Sequence, residues 1–211
     1  MKLSEKAEQI ISRLQTKYPD SKVSLNFSNP YELLVGTILS AQATDNSVNK
    51  VLPALFLRYP NIKSLSEATP DEIKPYIQSI GLFNNKSKFL SEMARFVMEN
   101  HNGEIPKVMS ELIKLPGVGR KTANVVMGNG FGIMDSGITV DTHVIRLSQR
   151  MGLTKSTTAD KIEKDLMKII PIENWVSFTP LFIDHGRTIC GRSPKCNDCP
   201  VFEICDYFLS L

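Results

Sequence analysis

Leu115-Pro116-Gly117-Val118-Gly119-Arg120-Lys121 joins two helical segments, and no other stretch constrains the fold so tightly. Pro116 ends the first segment, because its ring removes an amide donor and clashes with the preceding turn. Gly117 and Gly119 permit positive φ in the tight connection that follows. Lacking side chains, they also let backbone amides at the start of the next helix face an anion, for which a DNA phosphate is one candidate. Taken alone, the glycines favour an unliganded helix connection. Lys121 sets the turn apart. It falls in the first helical turn, where the dipole disfavours a cation. Helical spacing places it on one side with Gly117, Val125 and Gly128, against an apolar face. An amine kept partly neutral can attack a sugar carbon or form a Schiff base. A snorkelling lysine that only binds phosphate remains open at this point.

Outward from the turn, apolar residues recur at helical spacing and strand alternation is almost absent. Short helices are predicted at 109–114 and 120–128. Beyond a loop at 128–137, Asp141 caps a helix carrying Val144, Leu147 and Met151. Ile162, Leu166 and Ile169 mark another, and Trp175, Phe178 and Phe182 the last. Toward the N-terminus, Phe89, Leu90, Met93, Ala94 and Val97 form a helix ended by Asn102-Gly103. Thr69-Pro70-Asp71-Glu72 and Asn29-Pro30-Tyr31-Glu32 both read as a cap, a first-turn proline and an N3 glutamate. Ser4 is expected to cap the first helix and Asp45 the third, with Pro53 kinking or shortening the latter. Tandem repeats and low-complexity segments are absent. The pattern implies an all-α fold with short connections.

The 211 residues allow one large domain or two lobes, each with its own core. A net charge of +3 is only mildly basic, so nucleic-acid binding has to come from local arrangement. Met1-Lys2-Leu3-Ser4-Glu5-Lys6 carries charge where a signal peptide needs an apolar stretch, and no transmembrane-length run follows. A soluble, cytoplasmic protein with no membrane partner is expected. All four cysteines lie between Cys190 and Cys205, and in a reducing compartment so tight a group points to metal ligation. The spacing Cys190-x5-Cys196-x2-Cys199-x5-Cys205 contains one Cys-x2-Cys pair, where a structural zinc site usually has two. It suits a [4Fe–4S] cubane better, with zinc still open.

Leu115 to Asn124, followed by Val140-Asp141-Thr142-His143-Val144, resembles the helix-hairpin-helix and catalytic-aspartate segment of the endonuclease III family. These are base-excision glycosylases with an associated strand-nicking lyase activity. The resemblance runs from about Asn26 to Cys205. It implies two lobes: a six-helix lobe at 23–135 containing the hairpin, and a cluster lobe built from 1–22 and 136–211. Duplex DNA carrying damaged bases or abasic sites would lie across the cleft, with a monomeric chain holding Lys121 and Asp141 at its mouth.

By the same resemblance Lys121 attacks C1′, a damaged pyrimidine is released, and a Schiff base decays by β-elimination 3′ to the lesion. Asp141 reads most plainly as an N-cap. The resemblance adds that its charge supports the sugar cation and helps the lysine relay a proton. Gly117, Val118 and Gly119 would contact phosphate, and His143 would contact phosphate or pack. Ser40-Ala41-Gln42-Ala43-Thr44-Asp45 resembles the loop that inserts a glutamine, here Gln42. Ile80-Gly81-Leu82-Phe83-Asn84 resembles the opposite loop, where Leu82 wedges into the other strand.

The family's C-terminal [4Fe–4S] cluster falls on Cys190, Cys196, Cys199 and Cys205. Arg192 and Lys195 lie in its loop and suit phosphate contact. Two departures stand out: the first cysteine spacing is one residue shorter than usual, and the loop from Lys121 to Asp141 is slightly longer. Monofunctional adenine or mismatch glycosylases are an alternative, although they place serine or tyrosine where this chain has Lys121. A non-catalytic DNA-binding module would leave the Lys121–Asp141 pairing unexplained.

Overall fold

Local capping chemistry starts most of the helices. In the computed structural model, which describes residues 1–211, the chain forms α-helices, short 3-10 and π turns, and no strand. It divides into two compact units, Met1–Val23 with Met134–Leu211, and Ser24–Ile133. No helix is long and apolar enough to cross a membrane.

In the Ser24–Ile133 unit the other helices gather round α2 (Pro30–Ser40), which Asn29 opens after the N-terminal α1 (Leu3–Lys17) of the other unit. The Asn29 side chain accepts the Glu32 amide at 3.0 Å, while the Glu32 carboxylate accepts the Ser28 amide at 2.6 Å. Leu33, Leu34, Val35, Ile38 and Leu39 are all buried, so α2 is covered on nearly every side.

Around it stand α3 (Asp45–Arg58), α4 (Ile62–Ser66), α5 (Pro70–Ile77) and α6 (Phe83–His101). Asn102 and Gly103 end α6 with φ of 51° and 79°, the left-handed close expected of an Asn-Gly pair. The hairpin helices α7 (Met109–Leu112) and α8 (Arg120–Val125) complete the unit.

Several expectations are corrected here. Thr44, not Asp45, caps α3, its hydroxyl accepting the Ser47 amide at 3.2 Å. α3 runs through Pro53 to Arg58, so the proline does not shorten it. Seven helical segments occupy this unit rather than six, because the five-residue α4 is too short to show periodicity. Asn61 starts α4, its side chain accepting the Ser64 amide at 2.9 Å. α8 stops at Val125 and passes into a π turn at Val126–Gly130. A Cβ added to Gly130 would sit 3.4 Å from Leu33 Cδ2 and Pro30 Cα, so this turn packs closely on α2.

The other unit buries one face each of α1, α9 (Thr142–Arg150), α10 (Ala159–Ile169) and α11 (Trp175–Thr188). Ile10, Leu14, Val144, Leu147, Ile162, Leu166, Phe178 and Phe182 are fully enclosed. Burying each such side chain is worth about 1.5–3 kcal/mol. Ser4 does not cap α1; the helix begins a residue earlier, and the Lys2 amide donates to the Glu5 carboxylate at 3.1 Å. Lys6 forms an ion pair with Asp206, the first residue of α12 (Asp206–Leu209), so the first helix holds the last. Gly152, at φ 71°, lies where any side chain would collide with the Asp206 carboxylate.

Candidate active site

Only one of the hairpin's glycines is required by backbone conformation. Gly117 has φ 77°, and an added Cβ would approach Phe89 Cβ to 3.0 Å, so both torsion and packing on α6 exclude a side chain. Gly119 is instead the extended N-cap of α8, at φ −98° and ψ 177°. A Cβ there would meet nothing within 4 Å. The open space, not a strained torsion, is what Gly119 provides, which corrects the expectation that both glycines adopt positive φ.

Val118 is buried, and its amide donates to Leu115 O at 3.0 Å, closing the turn. Its side chain therefore anchors the hairpin from within. Lys121 is exposed in the first turn of α8. It does not lie against an apolar face as expected; Ala123 and Asn124 occupy the buried side.

Gln42 and Leu82 share an uncommon feature. Both are exposed, and both hold positive φ, 54° and 61°. A left-handed Leu is strained by roughly 1–2 kcal/mol, and such residues gather at functional sites. Their loops adjoin: a Cβ on Gly81 would lie 4.0 Å from the Gln42 carbonyl oxygen. Nothing in the sequence signalled these torsions, since neither residue type favours them.

Asp141 belongs to the other unit and caps α9. Its Oδ1 accepts both the His143 amide at 2.8 Å and the Val144 amide at 2.9 Å. The cap thus falls on one carboxylate oxygen and leaves Oδ2 outside it. His143 is half-buried, with Nδ1 3.2 Å from Arg146 Nη2. A Cβ on Gly186 would come within 2.5 Å of that same nitrogen, so one edge of the His143 ring packs on α11.

The four cysteines come together. Cys190, Cys196, Cys199 and Cys205 are all free thiols and line a single cavity, with His185, Arg150 and Met151 among its other walls. Burial pushes the Cys199 thiol up to about 11, opposed by the Val201 amide and reinforced by the other three cysteines. Burial also raises Cys196, and Cys190 and Cys205 add to it. Thiols that so disfavour their anions need a cation to ligate as thiolates.

Four thiols around one cavity supply the all-thiolate donor set that a [4Fe–4S] cubane takes.

Two arginines one turn apart on α9 clasp the cysteine loop, and neither was expected there from the sequence. Arg146 donates to the Cys190 carbonyl through Nε at 3.3 Å and Nη2 at 3.1 Å. Arg150 donates to Gly191 O at 2.6 Å, to Arg192 O at 3.1 Å and toward Cys190 Sγ at 3.4 Å. Its guanidinium also stacks over Tyr207, 5.0 Å from the ring centre. The helix capped by Asp141 is therefore fastened to the cysteine loop. Arg192 and Lys195 are exposed on that loop.

His185 was likewise not singled out. It is wholly enclosed, and burial, helped by Lys17, lowers its pKa to about 4. An i, i+4 arginine pair following a capping aspartate was the available signal for the clasp; His185 offered none.

Residues 35–172 match the HhH-GPD superfamily base excision DNA repair protein family. An endonuclease III from Synechocystis sp. is 49% identical over 202 residues, covering 95% of this chain and 92% of its own length. The endonuclease III of Escherichia coli (strain K12) is 40% identical over 200 residues, 94% of each chain. Among solved structures, a trapped endonuclease III–DNA covalent intermediate superposes with a TM-score of 0.91 at 38% identity, covering 100% of this chain and 99% of that one. A thermostable thymine-DNA glycosylase gives 0.89 at 25% identity, covering 98% of each. The chain belongs to the endonuclease III family within the HhH-GPD superfamily of base excision DNA repair proteins.

Proposed function

We propose that this chain excises oxidised pyrimidines from duplex DNA as a bifunctional glycosylase and abasic-site lyase, with Lys121 as nucleophile and Asp141 as the fixed anion. The observation that carries this is the exposed lysine in the first turn after the Gly117 hairpin. An alcohol or phenol there could not form an imine; an amine can. Lys121 Nζ, as the free amine, attacks C1′, and the N-glycosidic bond electrons leave with the base. The resulting adduct opens to an iminium. Loss of a 2′ proton then expels the 3′ phosphate, and water releases the lysine.

Two amide donors at the α9 N-terminus hold the Asp141 carboxylate in place, and its charge offsets the cation that builds on the sugar. The hairpin backbone at Gly117–Gly119 and the exposed Arg192 and Lys195 hold phosphates. Gln42 and Leu82, poised on strained exposed loops, fill the stack once the target nucleotide is extruded.

Cys190, Cys196, Cys199 and Cys205 would hold a [4Fe–4S] cluster, which when bound supplies ligation that orders the C-terminal loop. The test is incubation with duplexes containing thymine glycol or a preformed abasic site. Both should be nicked, the first after base release. Base release without nicking would favour a monofunctional glycosylase, and binding without either would favour a non-catalytic module.

A further inference from the structure

His185 is the one fully enclosed polar ring in the wall of the cysteine cavity, and both of its nitrogens have partners. Nε2 lies 3.5 Å from Cys199 Sγ, a normal separation for an N–H donor to sulfur. Nδ1 lies 3.2 Å from the Tyr18 hydroxyl. A neutral imidazole carries one N–H, and its partners decide which nitrogen holds it. Thr188 Oγ1 is 2.7 Å from the Tyr18 hydroxyl and 2.8 Å from the Asp184 carbonyl oxygen. The Thr188 hydroxyl donates to that carbonyl, while a Cys199 sulfur ligated as thiolate can only accept, so the Tyr18 proton turns to Nδ1. The imidazole proton then sits on Nε2, facing the sulfur. The His185 carbonyl accepts the amides of Ile189 at 3.0 Å and Cys190 at 2.8 Å, which ties the histidine's backbone to the start of the cysteine loop.

We propose that His185 is a positioning residue for the third cysteine, its Nε2–H donating to the Cys199 thiolate and shielding the cluster from oxidative loss. The inference rests on the cluster assignment above. A thiolate that accepts a hydrogen bond holds its negative charge more tightly, so the cluster is harder to oxidise. Cys199 needs this most. It lies only partly buried, in a cavity that the other three cysteines also line. Arg150 offers a comparable donor to Cys190 at 3.4 Å, and Cys199 has the His185 ring at 3.5 Å.

The test compares wild type with His185→Gln and His185→Asn, all purified anaerobically. Gln carries its amide nitrogen out to where Nε2 sits, whereas Asn ends at the Nδ1 position. Bleaching of the visible absorption by ferricyanide is timed, and Fe–S stretching frequencies are compared in H2O and D2O. Wild type and His185→Gln should bleach slowly and show a deuterium shift. His185→Asn should bleach several-fold faster and lose that shift. Equal rates and equal shifts in all three would overturn the proposal. So would loss of iron from both variants, which would make the ring's shape the requirement and not its donor. Iron-free wild type would instead refute the cluster assignment itself, a separate failure.

Discussion

Asp141 carries two roles that one pair of substitutions separates. Its Oδ1 accepts two α9 amides at 2.8 and 2.9 Å, a cap that an asparagine carbonyl can reproduce and an alanine cannot. Asp141→Ala should therefore cost about 1–2 kcal/mol of stability, a fall in melting temperature of about 2–8 °C for a chain of this length. Asp141→Asn should stay within a few tenths of a kcal/mol of wild type, since Asn and Asp cap about equally well. Turnover should divide differently. The charge is gone in both variants, so single-turnover base release should fall on the order of 10²–10³-fold in each. The assays are thermal unfolding followed by circular dichroism, and single-turnover excision from a thymine glycol duplex. An Asn variant as unstable as the Ala variant would refute the cap assignment. One that retains near-normal base release would refute the electrostatic role.

The hairpin glycines should respond in opposite ways: Gly117→Ala pays for a left-handed torsion and a Phe89 contact, about 1–3 kcal/mol by denaturant unfolding. Gly119→Ala, extended and open, should fold normally but weaken DNA binding in a filter or anisotropy assay. Gln42→Ala and Leu82→Ala should slow base removal more than cleavage of a preformed abasic site, and equal losses on both substrates would count against the filling role. Gln42→Gly should slow base removal likewise while unfolding at a higher temperature, because glycine relieves the positive φ. Cys199→Ser should lose iron by metal analysis and lower the melting temperature of the C-terminal loop, whose own apolar burial is small.

What the sequence disclosed followed the range of the interactions involved. Asn29-Pro30-Tyr31-Glu32 and Asp141 were legible because a cap and its target amides lie within four residues. Asn102-Gly103 was legible because few residues accept left-handed torsions. Where neighbouring residues compete for one local task, the choice went astray: Thr44 took the cap assigned to Asp45, and the Lys2 backbone that assigned to Ser4. The five-residue α4 was too short for periodicity to reveal.

The cysteine spacing pointed to one site, and the arginine pair on α9 could be read locally, but its partners at Cys190 to Arg192 lie forty or more residues away, out of reach of a local rule. His185, between Tyr18 and Cys199, was invisible for the same reason. Gln42 and Leu82 were named only through resemblance, and their positive φ values are set by loop context that no residue preference encodes.

The central claim is that Lys121 becomes covalently bound to C1′ during turnover. Borohydride reduces an imine to a stable amine, so trapping on a thymine glycol duplex followed by peptide mapping tests it most directly. Wild type should yield a crosslinked peptide modified at Lys121, while Lys121→Gln should bind the same duplex and give neither adduct nor nick. An adduct on another residue, or base release at the wild-type rate from Lys121→Gln, would contradict the account and make water the attacking group.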